Sequence, residues 1–461
     1  MRSETVSITC GVVDAASAGS SGNAANPGHK SCKVQVVIAQ SRSRTLAKNI
    51  HRELPSRLRH CFRESASEAT GDSDDRPGPS VVKVRAPGRH WLRLMIGVLG
   101  SVLLVSYASA DDVVSRYVTD TLRAGQVPGA ALAVVKNGRV LKEVLYGAAS
   151  LELSVPVQRT TRFQLASVTK VFTSIALLLL EQDGALNLDD EVSKYLTDLP
   201  ESWRHITLRE LATHTSGLPD VIASPDMPLS DAELAVSEDD ALKLAASHAV
   251  SGPAGTKYEY NQTNYVLLKR VIEGVSHESF RHFLSTRVLP SAPAAMPWGD
   301  ARSIVARRAE MYTALHGDTI ENGGDLYRYP RYLEGAAGLN ATIVEMESLG
   351  IALTNGSLLG SKELGALEKP VPRRGGGPID LGPELKLDGV LSPSVGMLYA
   401  DNSSGGFPRL FMTGGSATSI MFFPKQGLFI AVLTNLQAKD DPLGIAEGVA
   451  HFYIHGMVPM F

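Results

Sequence analysis

The chain has 461 residues, of which 44% are hydrophobic and 20% are charged. This composition excludes a disordered, collagen-like or coiled-coil chain, and the length predicts two domains or one large one. Residues 1–93 carry 15 Lys and Arg against 8 Asp and Glu, whereas the remainder carries 30 against 40. The larger part is therefore acidic and lacks the basic surface that a nucleic-acid partner requires.

The three cysteines, Cys10, Cys32 and Cys61, all lie near the N-terminus. A disulfide framework and a cysteine-ligated zinc site are therefore excluded from the rest of the chain. The sequence also has no His-Glu-x-x-His string, which excludes a zincin. We expect neither a metal nor an organic cofactor.

Residues 1–84 mix Ser, Gly, Arg and His without sustained periodicity, which predicts a segment without regular structure. Its position ahead of an export signal favours a second interpretation, namely a spurious extension from a start codon assigned too far upstream. An organelle transit sequence within 41–63 is a weaker alternative, because such peptides are poor in acidic residues and this segment is not.

Residues 85–110 have the three parts of a secretory signal peptide. A basic stretch ends at Arg93, an apolar run extends from Leu94 to Val105, and Ala108-Ser109-Ala110 forms a small-x-small cleavage site. The apolar run is shorter than the roughly 18 residues that a membrane span needs. We therefore expect a cleaved signal, a periplasmic or secreted product and no stable membrane span; an uncleaved membrane anchor is the alternative.

The remaining residues, 111–461, alternate between helical and strand patterns. A helix is predicted at 112–124, followed by a hairpin around Asn137-Gly138, which is a strong turn signal. Strands 419–423 and 428–434 form a second predicted hairpin near the other end, before a last helix. The pattern predicts an α+β domain, in which an antiparallel sheet is flanked by N- and C-terminal helices and a mainly helical region lies between the hairpins.

Two Ser-x-x-Lys strings occur in the chain. Ser80 and Lys83 lie in a proline-rich basic segment with no helix to hold them, so we interpret that string as chance. Ser167 and Lys170 open the most apolar helix, at 171–180, and one helical turn separates them, so their side chains can meet. A serine hydroxyl needs a base to become a nucleophile, and a lysine in an apolar environment can be that base. The alternative is an N-cap serine beside a solvated lysine.

The residues around this string resemble the first motif of the serine β-lactamase and penicillin-binding-protein superfamily. The stretch from Phe163 to Thr173 (FQLASVTKVFT) is most similar to the branch of class C β-lactamases, D-alanyl-D-alanine carboxypeptidases and related esterases. Residues 206–220 (ITLRELATHTSGLPD) and 253–265 (PAGTKYEYNQTNY) are also similar to stretches of that branch. In the first of these, Thr207 and Glu210 predict a helix capping box and Gly217 the helix end, where His214 is expected to pack.

The resemblance implies a role for each matching residue. Ser167 would be the acylated nucleophile, Lys170 its base, and Tyr260 the tyrosine of the second motif that shares proton transfer with the lysine. Thr413 and Gly414 match the last two positions of the third motif on a strand beside the cleft. The backbone N–H groups of Ser167 and Gly415 would form the oxyanion hole.

Two positions depart from the family pattern. Gln262 replaces the asparagine of the second motif, which keeps the amide and adds one methylene of reach. Met412 replaces the Lys or His of the third motif, so the cation that binds a substrate carboxylate in relatives is missing. Whether Arg409 supplies that charge is left open. Arg373 to Gly377 is interpreted as a loop, because it lacks the strand and helix of a phosphate-binding loop.

These observations favour a serine hydrolase that acts on carboxylic esters or related neutral acyl compounds. A D-alanyl-D-alanine carboxypeptidase or weak β-lactamase is the first alternative, and a non-catalytic penicillin-binding or sensor protein is the second. The expected partner is a small acyl substrate, whether ester, peptide or β-lactam.

Overall fold

The computed structural model describes two units, Met1–Ala108 and Ser109–Phe461. In the first unit it describes the backbone of 7–11, 32–37 and 81–86. In the second it describes 113–222, 236–290, 296–299, 303–314, 319–323, 329–377, 379, 390–401, 407–415, 417–437 and 441–455.

In the first unit, three strands form an antiparallel sheet in chain order: β1 (Ser7–Gly11), β2 (Cys32–Val37) and β3 (Val81–Ala86). They lie in the stretch that was expected to have no regular structure. The predicted export signal at 85–110 lies outside the described residues apart from the end of β3. The boundaries at 84 and 110 therefore stay predictions.

The second unit contains most of the described elements. Its helices are α1 (113–124), α2 (Thr169–Gln182), α3 (Leu208–Ala212), α4 (Glu238–Ala246), α5 (Thr263–Ser276), α6 (Phe280–Phe283), α7 (Ile343–Thr354), α8 (Ser361–Glu368) and α9 (Pro442–His455). Its strands are β4 (Gly129–Lys136), β5 (Arg139–Ser150), β6 (Val155–Pro156), β7 (Phe163–Gln164), β8 (Tyr312–Thr313), β9 (Glu321–Asn322), β10 (Asn340–Ala341), β11 (Val390–Ser394), β12 (Met397–Asp401), β13 (Arg409–Gly414), β14 (Thr418–Phe423), β15 (Leu428–Thr434) and β16 (Leu436–Gln437).

An eight-stranded antiparallel sheet, in the order β11-β12-β13-β14-β15-β4-β5-β6, forms the centre of this unit. Both predicted hairpins are confirmed. Asn137 and Gly138 adopt left-handed backbone angles, as the tight turn between β4 and β5 requires, and Gly427 does so before β15. Strands from both ends of the domain thus pair in one sheet, which confirms the predicted α+β class.

The two faces of the sheet bury different sets of residues. Ala130, Leu132 and Val134 of β4 pack in one apolar cluster with residues of the terminal helices α1 and α9. The alternate residues Ala131, Ala133 and Val135 join the larger cluster, which includes α2, α5 and α7. This alternation follows from the two-residue repeat of a strand. The helical region therefore covers the second face of the sheet.

A short pair of strands fixes the segment that leads into the first motif. β7 pairs with β10, and the backbone N–H of Leu165 then donates to the carbonyl of Leu339 at 2.8 Å. Within the described parts of the chain, no helix combines the length and apolar character that crossing a bilayer requires.

Candidate active site

Ser167 lies in a 3-10 turn (Ala166–Val168) between β7 and α2. Ala166, directly before it, has a φ of 44°, a left-handed angle that a residue with a Cβ adopts only when its surroundings impose it. Ser167 itself is half-buried. The N-cap of α2 is Val168 and no side chain caps the helix, so the alternative of an N-cap serine is wrong.

Lys170, on the first turn of α2, is fully buried. Its Nζ lies 2.8 Å from Gln262 Oε1, 3.0 Å from the carbonyl oxygen of Ala336 and 3.4 Å from Ser167 Oγ. The alternative of a solvated lysine is therefore wrong as well. The amine is held by neutral oxygens beside the serine, which is the environment that a proton-accepting lysine needs.

Tyr260 reaches the same hydroxyl from the segment that precedes α5. Its Oη donates to Ser167 Oγ at 2.7 Å, and Lys170 Nζ lies 4.7 Å from the centroid of its ring. Tyr260 as a whole residue is 38% exposed, and it lines the pocket beside Met412. The structure thus brings all three residues together around one oxygen atom.

The end of β13 lies against the turn that carries Ser167. A Cβ built on Gly414 would lie 2.1 Å from the carbonyl oxygen of Leu165, a distance that only glycine permits. Thr418 Oγ1 donates to the same carbonyl at 3.1 Å. Gly415 follows with a φ of 54°. The predicted third-motif residues are therefore placed beside the nucleophile turn, where an oxyanion hole would be needed.

Met412 is buried and faces the helical side of the sheet. It lines a small pocket whose other walls are mainly apolar and aromatic: Ala212, Thr213, His214, Tyr258, Tyr260, Ser394, Gly396, Met397 and Leu398. The exposed Thr413 is its neighbour on the strand. The position that carries a cation in relatives therefore carries a thioether in an apolar pocket next to Tyr260.

Arg409 does not replace that cation. Its guanidinium pairs with Glu447 of α9 at 2.5 Å, on the face of the sheet opposite the helical region. Residues three apart on a strand point to opposite faces, so Arg409 and Met412 of β13 lie on different sides of the sheet.

The loop from His214 to Asp220 binds the start of α5. Asn261 Nδ2 donates to the carbonyl of Leu218 at 3.1 Å, Thr263 Oγ1 to that of Pro219 at 2.6 Å, and the backbone N–H of Gln262 to Asp220 Oδ1 at 3.1 Å. The loop therefore fixes the residues on both sides of Gln262, whose amide in turn holds Lys170.

Asp220 is a site residue that sequence reasoning missed. Burial raises the pKa of its carboxyl to about 6, although N–H donors and the charge of Lys170 act in the opposite direction. The aspartate ends the stretch that resembles the family, but nothing in the sequence showed that it would contact the second motif.

The capping box of α3 is confirmed, since Thr207 and Glu210 each bind the other's backbone N–H. The predicted helix end at Gly217 is wrong, because α3 ends at Ala212 and His214 already has a φ of 53°.

The segment at Arg373 to Gly377 is a loop, as expected, and Arg374 pairs with Glu210 at 2.6 Å. No group of three His, Cys, Asp or Glu side chains in the described part of the chain could hold a metal ion.

The comparison with protein families identifies the class. The sequence profile of the family described as Beta-lactamase matches residues 114–451. The chain therefore belongs to the beta-lactamase family, within the serine β-lactamase and penicillin-binding-protein superfamily.

Relatives with curated names match parts of the chain. "Protein flp" of Staphylococcus aureus (strain N315) is 31% identical over 182 residues, which cover 37% of this chain and 35% of that protein. "Penicillin-binding protein 4*" of Bacillus subtilis (strain 168) is 28% identical over 295 residues, 61% of this chain and 64% of that protein. The match thus spans about a third of the length of the first and less than two thirds of the second.

Solved structures share the fold. The octameric penicillin-binding protein homologue from Pyrococcus abyssi has a TM-score of 0.62 at 20% identity, and the match covers 74% of this chain and 77% of that one. EstCE1, titled a hydrolase with promiscuous acyltransferase activity, has a TM-score of 0.60 at 20% identity and covers 74% of this chain and 99% of its own.

The raised pKa of Asp220 predicts a pH-dependent effect of Asp220→Asn. Folding favours the protonated carboxyl, so its stabilising contribution is present below pH 4 and is lost as the pH rises through about 6. The free energy of unfolding of the variant, relative to wild type, should therefore increase by about 1–3 kcal/mol between pH 4.5 and pH 7.5. Urea denaturation at both pH values measures this, and a difference that does not change with pH would contradict the buried-carboxylate account.

Proposed function

We propose that the chain hydrolyses carboxylic esters or related neutral acyl compounds through an acyl-enzyme on Ser167. The observation that carries this proposal is the meeting of Tyr260 Oη and Lys170 Nζ, at 2.7 and 3.4 Å, on the single Oγ of a half-buried serine. A hydroxyl in contact with a buried amine and a phenol is the arrangement of an activated nucleophile.

The reaction follows from this arrangement in two halves. Ser167 Oγ attacks the acyl carbon while its proton passes to the Tyr260–Lys170 pair, and the pair returns a proton to the alkoxide that leaves. The N–H groups of Ser167 and Gly415 stabilise the negative oxygen that forms. Water then attacks the acyl-enzyme, gives its proton to the same pair and releases the carboxylic acid, and Ser167 regains its proton.

The surroundings of Met412 support esters and other neutral acyl compounds over anionic substrates. The pocket beside Tyr260 has apolar walls, and Arg409 is engaged with Glu447 on the other face of the sheet. Because none of the described residues that line this pocket is a cation, a substrate carboxylate there would lose its water without a cationic partner from the pocket wall.

A D-alanyl-D-alanine carboxypeptidase or weak β-lactamase is the second candidate. The observation that favours it is the amide of Gln262, whose oxygen binds Lys170 and leaves the NH₂ group as a donor for a peptide-like carbonyl. The similarity to proteins named as penicillin-binding proteins points the same way. A non-catalytic sensor is less favoured, because the contacts of Ser167, Lys170 and Tyr260 are all retained.

We further propose that the protein acts outside the cytoplasm, in the periplasm or after secretion. The support for this location is the predicted signal peptide at 85–110, with an uncleaved anchor as the alternative. The substrate would then be a small acyl compound of that compartment.

Replacing the nucleophile tests the proposal. Ser167→Ala should reduce hydrolysis of a short-chain p-nitrophenyl ester by at least about 10³-fold, since no acyl-enzyme can form. The thermal unfolding curve should stay close to that of wild type. The matched control is Ser357→Ala, an exposed serine between α7 and α8, which should leave turnover unchanged. Equal turnover by Ser167→Ala and wild type would refute the assignment.

Restoring the missing cation tests the choice of substrate. Met412→Lys should increase the rate of acylation by a penicillin about 10- to 100-fold, because a charge-assisted hydrogen bond to its carboxylate contributes roughly 1.5–3 kcal/mol. Met412→Leu is the control that keeps the pocket apolar and should give no increase. If both variants react with penicillin at the same rate, the missing cation does not set the preference.

A further inference from the structure

His214 binds the backbone on both sides of Tyr260, an arrangement that the sequence did not suggest. Its carbonyl oxygen accepts the N–H of Glu259 at 2.8 Å, and its Nδ1 accepts the N–H of Asn261 at 3.3 Å. One histidine therefore binds the residue before Tyr260 and the residue after it. The left-handed φ of 53° at His214 turns the chain so that both contacts form.

The side chains are in contact as well. The imidazole and phenol rings lie with centroids 4.4 Å apart and planes inclined at 36°, a partly stacked arrangement. Tyr258 and Tyr265 approach the same imidazole at 5.8 and 5.1 Å. Tyr260 is partly exposed, so its ring is not enclosed on all sides, and the contact with the imidazole limits where the ring can turn.

The hydrogen bonds of the imidazole determine which of its two nitrogens carries the proton. Nδ1 also receives the amide of Asn264 at 3.1 Å, so it is an acceptor and the ring proton belongs on Nε2. Burial, and secondly the charge of Lys170, hold the pKa of His214 well below its ordinary value. Nε2 is buried and has no hydrogen-bond partner among the described residues. A neutral, enclosed imidazole is suited to packing and not to proton transfer.

We propose that His214 is a positioning residue whose ring holds the phenol of Tyr260 on Ser167, while its backbone carbonyl fixes the neighbouring residue Glu259. Without the ring, the phenol would sample other rotamers and its Oη would spend less time on Ser167 Oγ. This inference rests on the proposed function, because it assigns a role in activating the same serine.

The test uses two readouts of Ser167. One is the rate at which a fluorophosphonate probe labels Ser167, which requires no natural substrate, and the other is kcat and KM for a p-nitrophenyl ester. His214→Asn keeps a side-chain acceptor for Asn261 and removes the ring. It should reduce labelling and kcat about 30-fold or more, with KM changed less than about threefold. His248→Asn, an exposed histidine, is the control and should have no effect.

A double-mutant cycle separates positioning from general damage. If His214 acts through Tyr260, then adding His214→Asn to a Tyr260→Phe variant should reduce the labelling rate of Ser167 by less than about a further threefold. His214→Phe, which restores a ring, should recover labelling to within about threefold of wild type. If the reductions in labelling rate of the two single variants multiply in the double variant, the proposal is overturned. It is also overturned if His214→Asn is labelled at the wild-type rate.

The two proposals fail differently. Labelling of Ser167 without ester turnover would reject the ester hydrolase and still allow the cycle to be measured by labelling. A wild-type protein that the probe does not label at Ser167 would overturn both proposals. Thermal unfolding of each variant shows whether it is folded. If His214→Asn does not fold, the labelling of a folded His214→Phe variant decides alone. A labelling rate of that variant more than about 30-fold below wild type overturns the role of the ring.

Discussion

The burial of one amine next to one hydroxyl is the constraint on which the rest of the site depends. Lys170 has no exposed surface, and its Nζ is satisfied by the amide of Gln262 and the carbonyl of Ala336, with Ser167 Oγ close by. Removing such a group from water costs several kcal/mol unless its partners are in place. Each partner comes from a different part of the chain, so the site forms only when these distant parts pack together.

The loop from His214 to Asp220 links these parts. It binds the N-terminal end of α5 through the carbonyls of Leu218 and Pro219 and the carboxylate of Asp220. Both Tyr260 and Gln262 are held by this attachment, one on the hydroxyl and the other on the amine. The placement of both second-motif residues therefore depends on a loop that carries no reacting group.

Features that depend only on neighbouring residues could be predicted from the sequence, whereas features that depend on distant contacts could not. The hairpin at Asn137-Gly138 and the capping box of Thr207 and Glu210 depend on neighbouring residues, and both form as expected. The end of α3 depends on a distant segment, because the backbone carbonyl of His214 accepts the N–H of Glu259. A helix end at Gly217, predicted from the neighbouring residues alone, was therefore wrong. Ser167 was found from its Ser-x-x-Lys spacing and then by resemblance, and Met412 by resemblance alone, whereas Asp220 became part of the site only through the folded contact with Gln262.

The central claim is that an acyl group is transferred to Ser167. The most direct measurement is the mass of the protein and of its tryptic peptides after rapid acid quench during turnover of a p-nitrophenyl ester, beside the Ser167→Ala variant. The account predicts one acyl adduct, located on the peptide that contains Ser167 and absent from the variant. Ester turnover with the acyl group on another residue, or an equal adduct in both proteins, would contradict it.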